Sequence, residues 1–170
     1  MKFRNKLTGE IKEWDCVEIN SSLLSAQNRP RVYWTNIAKI SQPEDKSVYL
    51  KDIILPEIHD RYIDDFKTAN RTYKKNYMQY DINNKGNGSQ DQRAYYLDNK
   101  CGALDTGCYN KKKLLLENGK VRKFTITEFE RLQTLPDGYT NIVSPSIAGN
   151  CIGNGWTVDV IAHIFSFLKK

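Results

Sequence analysis

A chain of 170 residues with 39% hydrophobic and 11% aromatic side chains can bury a real core, which argues against a disordered tail. No apolar run approaches the ~20 residues that span a bilayer, and Met1-Lys2-Phe3-Arg4 leads into no signal-peptide core, so the expected compartment is the cytoplasm. The net charge is +6, and four cysteines spaced by 85, 7 and 43 residues fit neither a zinc pattern nor a disulfide framework; free, mostly buried thiols and no metal site are expected.

Residues 17–20 and 31–35 read as strands, joined through a connection in which Pro30 suits only an edge or a strand start. Within it, Gln27, Arg29 and Arg31 alternate, so in an extended chain all three share one face. A guanidinium keeps its charge and its planar fork fits phosphate and base-edge acceptors, which makes this face a candidate nucleic-acid or cofactor grip; a solvated strand face is the plain alternative.

Residues 48–54 begin a helix or turn that Pro56 interrupts, and 58–73 suit a helix with Tyr62, Phe66 and Ala69 along one side. Asn83-Asn84-Lys85-Gly86-Asn87-Gly88-Ser89 is a loop. Residues 94–97 and 113–116 read as short strands, and Glu117-Asn118-Gly119-Lys120 turns the chain into 121–124. Thr125 and Glu128 predict a capping box at the start of a helix whose Phe129 and Leu132 face a core and which Pro136-Asp137-Gly138 stops. Val158, Ile161, Ala162, Phe165 and Leu168 predict a closing helix with one apolar stripe, with Lys169-Lys170 at its negative pole.

Charge is unevenly spread. Residues 67–123 hold thirteen Lys or Arg against five acids, whereas 43–66 hold seven acids against three bases. The basic segment, interleaved with tyrosines, suits a polyanion, because phosphate neutralisation supplies most sequence-independent affinity for DNA. A Lys-rich solvated surface is the alternative, and tyrosines also fill cores.

Three segments resemble the DNA (cytosine-5) methyltransferase family in its own order, particularly the bacterial and prophage members. Gln27-Asn28-Arg29-Pro30-Arg31 with its flanks resembles the Gln-x-Arg-x-Arg motif, Arg122-Lys123-Phe124-Thr125-Ile126-Thr127-Glu128-Phe129-Glu130-Arg131-Leu132-Gln133-Thr134-Leu135-Pro136-Asp137 the Leu-Thr-x-x-Glu-x-x-Arg-Leu-Gln-x-x-Pro block, and Gly153-Asn154-Gly155-Trp156-Thr157-Val158 the closing Gly-Asn motif. The approach to that motif, Ser144-Pro145-Ser146-Ile147-Ala148-Gly149-Asn150-Cys151, departs from the family's pattern. No cysteine follows a proline, and no Phe-x-Gly-x-Gly loop is present, so the family's nucleophile and main cofactor loop are absent from these residues.

The resemblance implies an α/β fold: the C-terminal part of a Rossmann-like catalytic domain (1–39 and 150–170) with an irregular mixed target-recognition lobe between (40–149). It implies a fragment or subunit that works on duplex DNA with S-adenosylmethionine and needs an N-terminal half as partner. Arg31 would donate to O2 of the flipped cytosine, Arg29 would hold the catalytic loop or a phosphate, Gln27 would order the strand, and Asn154 with Gly153 would lie beside the cofactor. In the lobe, Ser89, Gln90, Gln92, Arg93 and Lys100 are candidates for base reading and Lys111, Lys112 and Lys113 for phosphate. A non-catalytic DNA-binding subunit or remnant, and a basic RNA-binding domain with stacking tyrosines, are the rival readings.

Overall fold

The computed structural model describes residues 2–4, 6–13, 15–56, 70–81 and 92–168. Strands β1 (Lys2–Arg4) and β2 (Ile11–Glu13) pair in a short antiparallel ladder. β3 (Asp15–Asn20) then pairs antiparallel with β5 (Pro30–Thr35), setting Val17 opposite Tyr33 and Ile19 opposite Arg31. Between them the chain closes on Asn20, whose Oδ1 accepts from the amides of Ser22 (3.0 Å) and Arg29 (2.9 Å). This closure peels β4 (Gln27–Asn28) away from the ribbon, and β4 pairs in parallel with β9 (Cys101–Gly102).

Five strands form the second sheet, in the order β11-β10-β8-β7-β6. They are β6 (Asn70–Tyr73), β7 (Tyr77–Asp81), β8 (Arg93–Tyr96), β10 (Lys113–Leu115) and β11 (Val121–Lys123), all antiparallel except the β8–β10 pair. The hairpin predicted over 117–120 joins β10 to β11, with Gly119 at φ 74°. Residues 58–69 of the expected helix, and the loop 83–89, lie outside the described residues; Asn70–Tyr73 is strand, not helix, because its backbone pairs with β7 and that ladder overrides a weak helical pattern.

Leu104, Leu114, Phe124, Phe129 and Leu132 make the main core, which also takes Leu50 and Ile53 of the short helix α1 (Leu50–Ile53). Helix α2 (Ile126–Leu132) begins on the predicted capping box: Glu128 N–H donates to Thr125 Oγ1 (3.2 Å) and Thr125 N–H to Glu128 Oε2 (2.8 Å). The same carboxylate forms a two-pronged ion pair with the buried Arg122 (2.6 and 2.9 Å) and accepts the Leu55 amide (2.9 Å). The helix ends before Pro136, at Leu132, and Thr134 turns the chain away at φ 57°.

Helix α3 (Pro145–Asn154) was not evident in the sequence, where its two glycines and leading proline resemble a loop. Both glycines serve close packing: a Cβ on Gly149 would lie 2.7 Å from Tyr109 Cβ, and one on Gly153 only 2.1 Å from the Asp105 carbonyl oxygen. Helix α4 (Val158–Phe165) lies where predicted, but its buried face is different. Val160 and Ile164 enter a second core with Ile19, Leu24 and Ile37, while Val158, Phe165 and Leu168 are exposed. The rotation is fixed at its start, where Val158 N–H donates to the Gln133 carbonyl (3.0 Å) and Asp159 N–H to Thr134 Oγ1 (2.8 Å). Lys169 and Lys170 lie outside the described residues.

The thiol expectation also needs correction: Cys101 is buried, but Cys16 and Cys151 are exposed, Cys16 because it faces outward on β3 opposite Trp34. Among the described residues no helix is long and apolar enough to cross a membrane, and no cluster of His, Cys, Asp and Glu could hold a metal. Glu128→Gln leaves the buried Arg122 charge uncompensated and weakens the α2 cap; urea unfolding is expected to show a loss of about 3–5 kcal/mol.

Candidate functional site

The three sequence segments meet at one buried polar junction. Gln27 is fully buried; its Oε1 accepts the Leu104 amide (2.7 Å), and its Nε2 donates to the Leu132 carbonyl (3.2 Å) and to Gln133 Oε1 (3.3 Å). Gln133 continues the chain of bonds, donating to the carbonyl of Ile152 (2.8 Å) and accepting from Thr157 Oγ1 (2.8 Å). Thr157 in turn shares a 2.8 Å bond with Ser21 Oγ, and Ser25 Oγ donates to the Leu132 carbonyl (2.6 Å).

Arg29 lies at the same junction. One terminal nitrogen donates to the Leu104 carbonyl (2.5 Å) and the other to the carbonyls of Gly153 (3.1 Å) and Gly155 (3.0 Å). These carbonyls stand at the end of α3, where backbone acceptors lack intrahelical donors and a cation is favourable. Gln27 and Arg29 therefore bind the chain to itself. The expectation that all three alternate side chains share one face fails, because the strand breaks at Arg29 between β4 and β5 and only Arg31 remains on the outside.

Arg31 is exposed and donates to the neighbouring Pro30 carbonyl (2.8 Å). It lines a largely apolar groove of about 310 Å³ with Tyr33, Trp34, Trp156, Ile161 and Phe165. Burial raises the Tyr33 phenol pKa, and the nearby Arg29 and Arg31 charges partly offset this. Trp156 is 64% exposed and stands two residues beyond Asn154, which is itself exposed at the end of α3. The Gly153 backbone is packed against the Asp105–Thr106 chain and held by Arg29.

The lobe candidates separate. Ser89 and Gln90 lie outside the described residues. Arg93 and Lys100 come together on the walls of a polar cavity with Asn28, whereas Gln92 offers its carbonyl to Gln79 Nε2 (3.0 Å). Lys111 is exposed, but Lys112 and Lys113 are buried, so the run is no continuous basic surface. The reason is strand geometry: Lys113 enters β10 and donates to the Lys111 carbonyl (2.9 Å), and Lys112 lies over the Tyr95 ring. Exposed cations instead stand at Lys74 and Lys75, in the turn between β6 and β7.

The sequence did not single out Gln133 as the partner of Gln27, nor Thr157 as the partner of Gln133. The available signal was a glutamine directly after the core position Leu132, where the predicted helix ends. Buried amides require partners.

Stability should separate the members of the triplet. Gln27→Ala leaves the Leu104 amide without its side-chain acceptor and removes a donor to Gln133 and the Leu132 carbonyl, and should cost about 1–3 kcal/mol, whereas Arg31→Ala should melt like the parent. Thermal unfolding monitored by circular dichroism reads both. Gly153→Ala should be still more disruptive than Gln27→Ala in the same assay, since backbone must move to admit the methyl group.

Residues 19–170 match the family C-5 cytosine-specific DNA methylase. A search of curated protein sequences gave no match. Among solved structures the chain is similar to the Entamoeba histolytica methyltransferase EhMeth, with a TM-score of 0.61 at 12% identity over 93% of this chain. It spans 55% of that protein's length. The likeness in structure gives an α/β methyltransferase fold, and the family match over most of the chain gives the assignment: this protein belongs to the C-5 cytosine-specific DNA methylase family.

Proposed function

We propose that this chain is the C-terminal part of a DNA cytosine-5 methyltransferase, carrying the base-holding arginine and the DNA-recognition lobe, and that it acts with a complementary half that supplies the nucleophile and most of the cofactor pocket. The observation that carries this reading is the contrast within one motif: Gln27 and Arg29 are locked into the interior while Arg31, on the same segment, stands in an open groove beside Trp156. A cation held from behind by a fixed strand suits a base that arrives from outside. Its fork would donate to O2 of a cytosine swung out of the stack.

S-adenosylmethionine would supply the methyl group. Of the described residues only the Asn154 amide and the Trp156 ring stand open at the Gly-Asn motif, so this chain fits the cofactor on one side and needs a second wall. The complementary half has a surface to meet. α4 covers one face of the β3–β5 ribbon, while the other presents Cys16, Val32 and Trp34, the last 41% exposed. Two-stranded ribbons are marginal alone, and α/β sheets carry helices on both faces. That none of the four cysteines follows a proline also supports a second reading, a DNA-binding subunit without chemistry of its own.

Incorporation of labelled methyl groups into duplex DNA tests the proposal: the chain alone should give none, and the chain with its complementary half should give turnover that Arg31→Ala abolishes. Labelled product from the chain alone, or full turnover by Arg31→Ala, contradicts it. Duplex binding should fall steeply with salt. Replacing Lys74 and Lys75 by Gln should weaken it for all sequences alike and flatten the slope of log affinity against log salt by about 1–2.

A further inference from the structure

We propose that the cavity enclosed by β4, β7, β8 and β9 is a pocket for an unstacked nucleobase, guanine by its hydrogen-bonding pattern. The inference rests on the reading of this chain as a DNA-binding part of a methyltransferase and gives one of its cavities a specific ligand. The cavity measures about 410 Å³, and its walls include Asn28, Asn76, Tyr77, Arg93, Tyr95 and Asn99. That size lies within the ~300–1,000 Å³ typical of small-ligand pockets.

Unsatisfied buried donors are the first sign of a ligand. Tyr95, on the cavity wall, is 3% exposed, yet its Oη has no hydrogen-bond partner among the described residues. The hydroxyl stands against Gly102, which also lines the cavity and where a Cβ would come within 2.9 Å of it. Buried polar atoms are nearly always paired in native proteins, so an acceptor is missing at this wall.

Arg93 supplies the second sign. Its Nε donates to Gln79 Oε1 (3.4 Å) and its guanidinium lies 4.7 Å from the Tyr77 ring centroid, which orients the fork, while its two terminal nitrogens make no further hydrogen bond among the described residues. The side-chain amides of Asn76 and Asn99 are likewise uncommitted among the described residues. Lys100, the other cation at this cavity, is already used: Nζ donates to the carbonyls of Ser22 and Ser25, lies over the Tyr49 ring, and has its pKa lowered by desolvation.

A pocket with tyrosine rings, amides and one free guanidinium fork is poorly made for a phosphate, which calls for several cations. It is well made for a base. Guanine presents O6 and N7 together, the pair an arginine fork matches, and its other edge offers donors and acceptors to asparagine amides. When a cytosine leaves the helix its partner guanine is left unpaired. Asn28 belongs to the segment that carries Arg31, so the cavity is reached from the strand assigned to the cytosine.

Calorimetric titration of the whole chain with deoxyguanosine monophosphate, the other three deoxynucleoside monophosphates and deoxyribose 5-phosphate tests the proposal. The guanine nucleotide should bind at least about fivefold tighter than the pyrimidine nucleotides, and deoxyribose phosphate should not compete. Arg93→Lys, which keeps the charge and loses the fork, should remove the preference for guanine, as should Asn99→Ala, with melting temperature checked for each. Equal binding of the guanine nucleotide and deoxyribose phosphate would mean a phosphate site and overturn the inference. No nucleotide binding alongside salt-dependent duplex binding overturns it while leaving the DNA-binding reading intact. Loss of both overturns the two together.

Discussion

The structure depends on the buried polar junction of Gln27, Arg29 and Gln133. It ties together segments more than a hundred residues apart: the connection after β3, the end of α2 and the end of α3. In a low-dielectric interior each of these bonds is strong when made, and the groups are costly when left open, so the junction has one satisfactory arrangement. Arg29 shows the logic plainly. Its charge is buried, and its terminal nitrogens donate to the carbonyl oxygens of Leu104 and, at the C-terminus of α3, of Gly153 and Gly155.

That arrangement sets the position of everything around it. Gln27 accepts from Leu104 and thereby fixes the chain between β9 and the 3₁₀ turn at 108–110, which Gly153 then approaches at backbone contact. Gln133 and Thr134 anchor the first turn of α4, and α4 covers the β3–β5 ribbon. Arg31 follows Arg29 by two residues and is thus presented by a segment that cannot easily shift. The Arg122–Glu128 pair joins β11 to α2 and brings the Leu55 amide with it.

Much of this was legible in the sequence where a local rule was decisive. The capping box at Thr125 and Glu128, the hairpin over 117–120, the ribbon strands and the core positions Phe129 and Leu132 are all present. The order of the three motifs carried the family. Legibility failed where tertiary contact decides. The glycines of α3 lower helix propensity and were informative only once Tyr109 and Asp105 were known to press on them. α4 is apolar on more than one side, so its pattern alone could not choose the buried face. The Lys111–Lys113 run suggested a basic patch, but strand geometry turned Lys112 inward against Tyr95. Alternation placed Gln27, Arg29 and Arg31 together because it assumed an unbroken strand, and the Asn20 closure breaks it.

The claim that the motifs form one cooperative junction is tested most directly by a double-mutant cycle in urea unfolding, using Gln27→Ala, Gln133→Ala and the double variant. Side chains that share one buried network should show a coupling free energy of about 0.5–3 kcal/mol. A coupling indistinguishable from zero, with the two single losses simply adding, would mean that the segments are stabilised separately and that Arg31 is not held from behind as described.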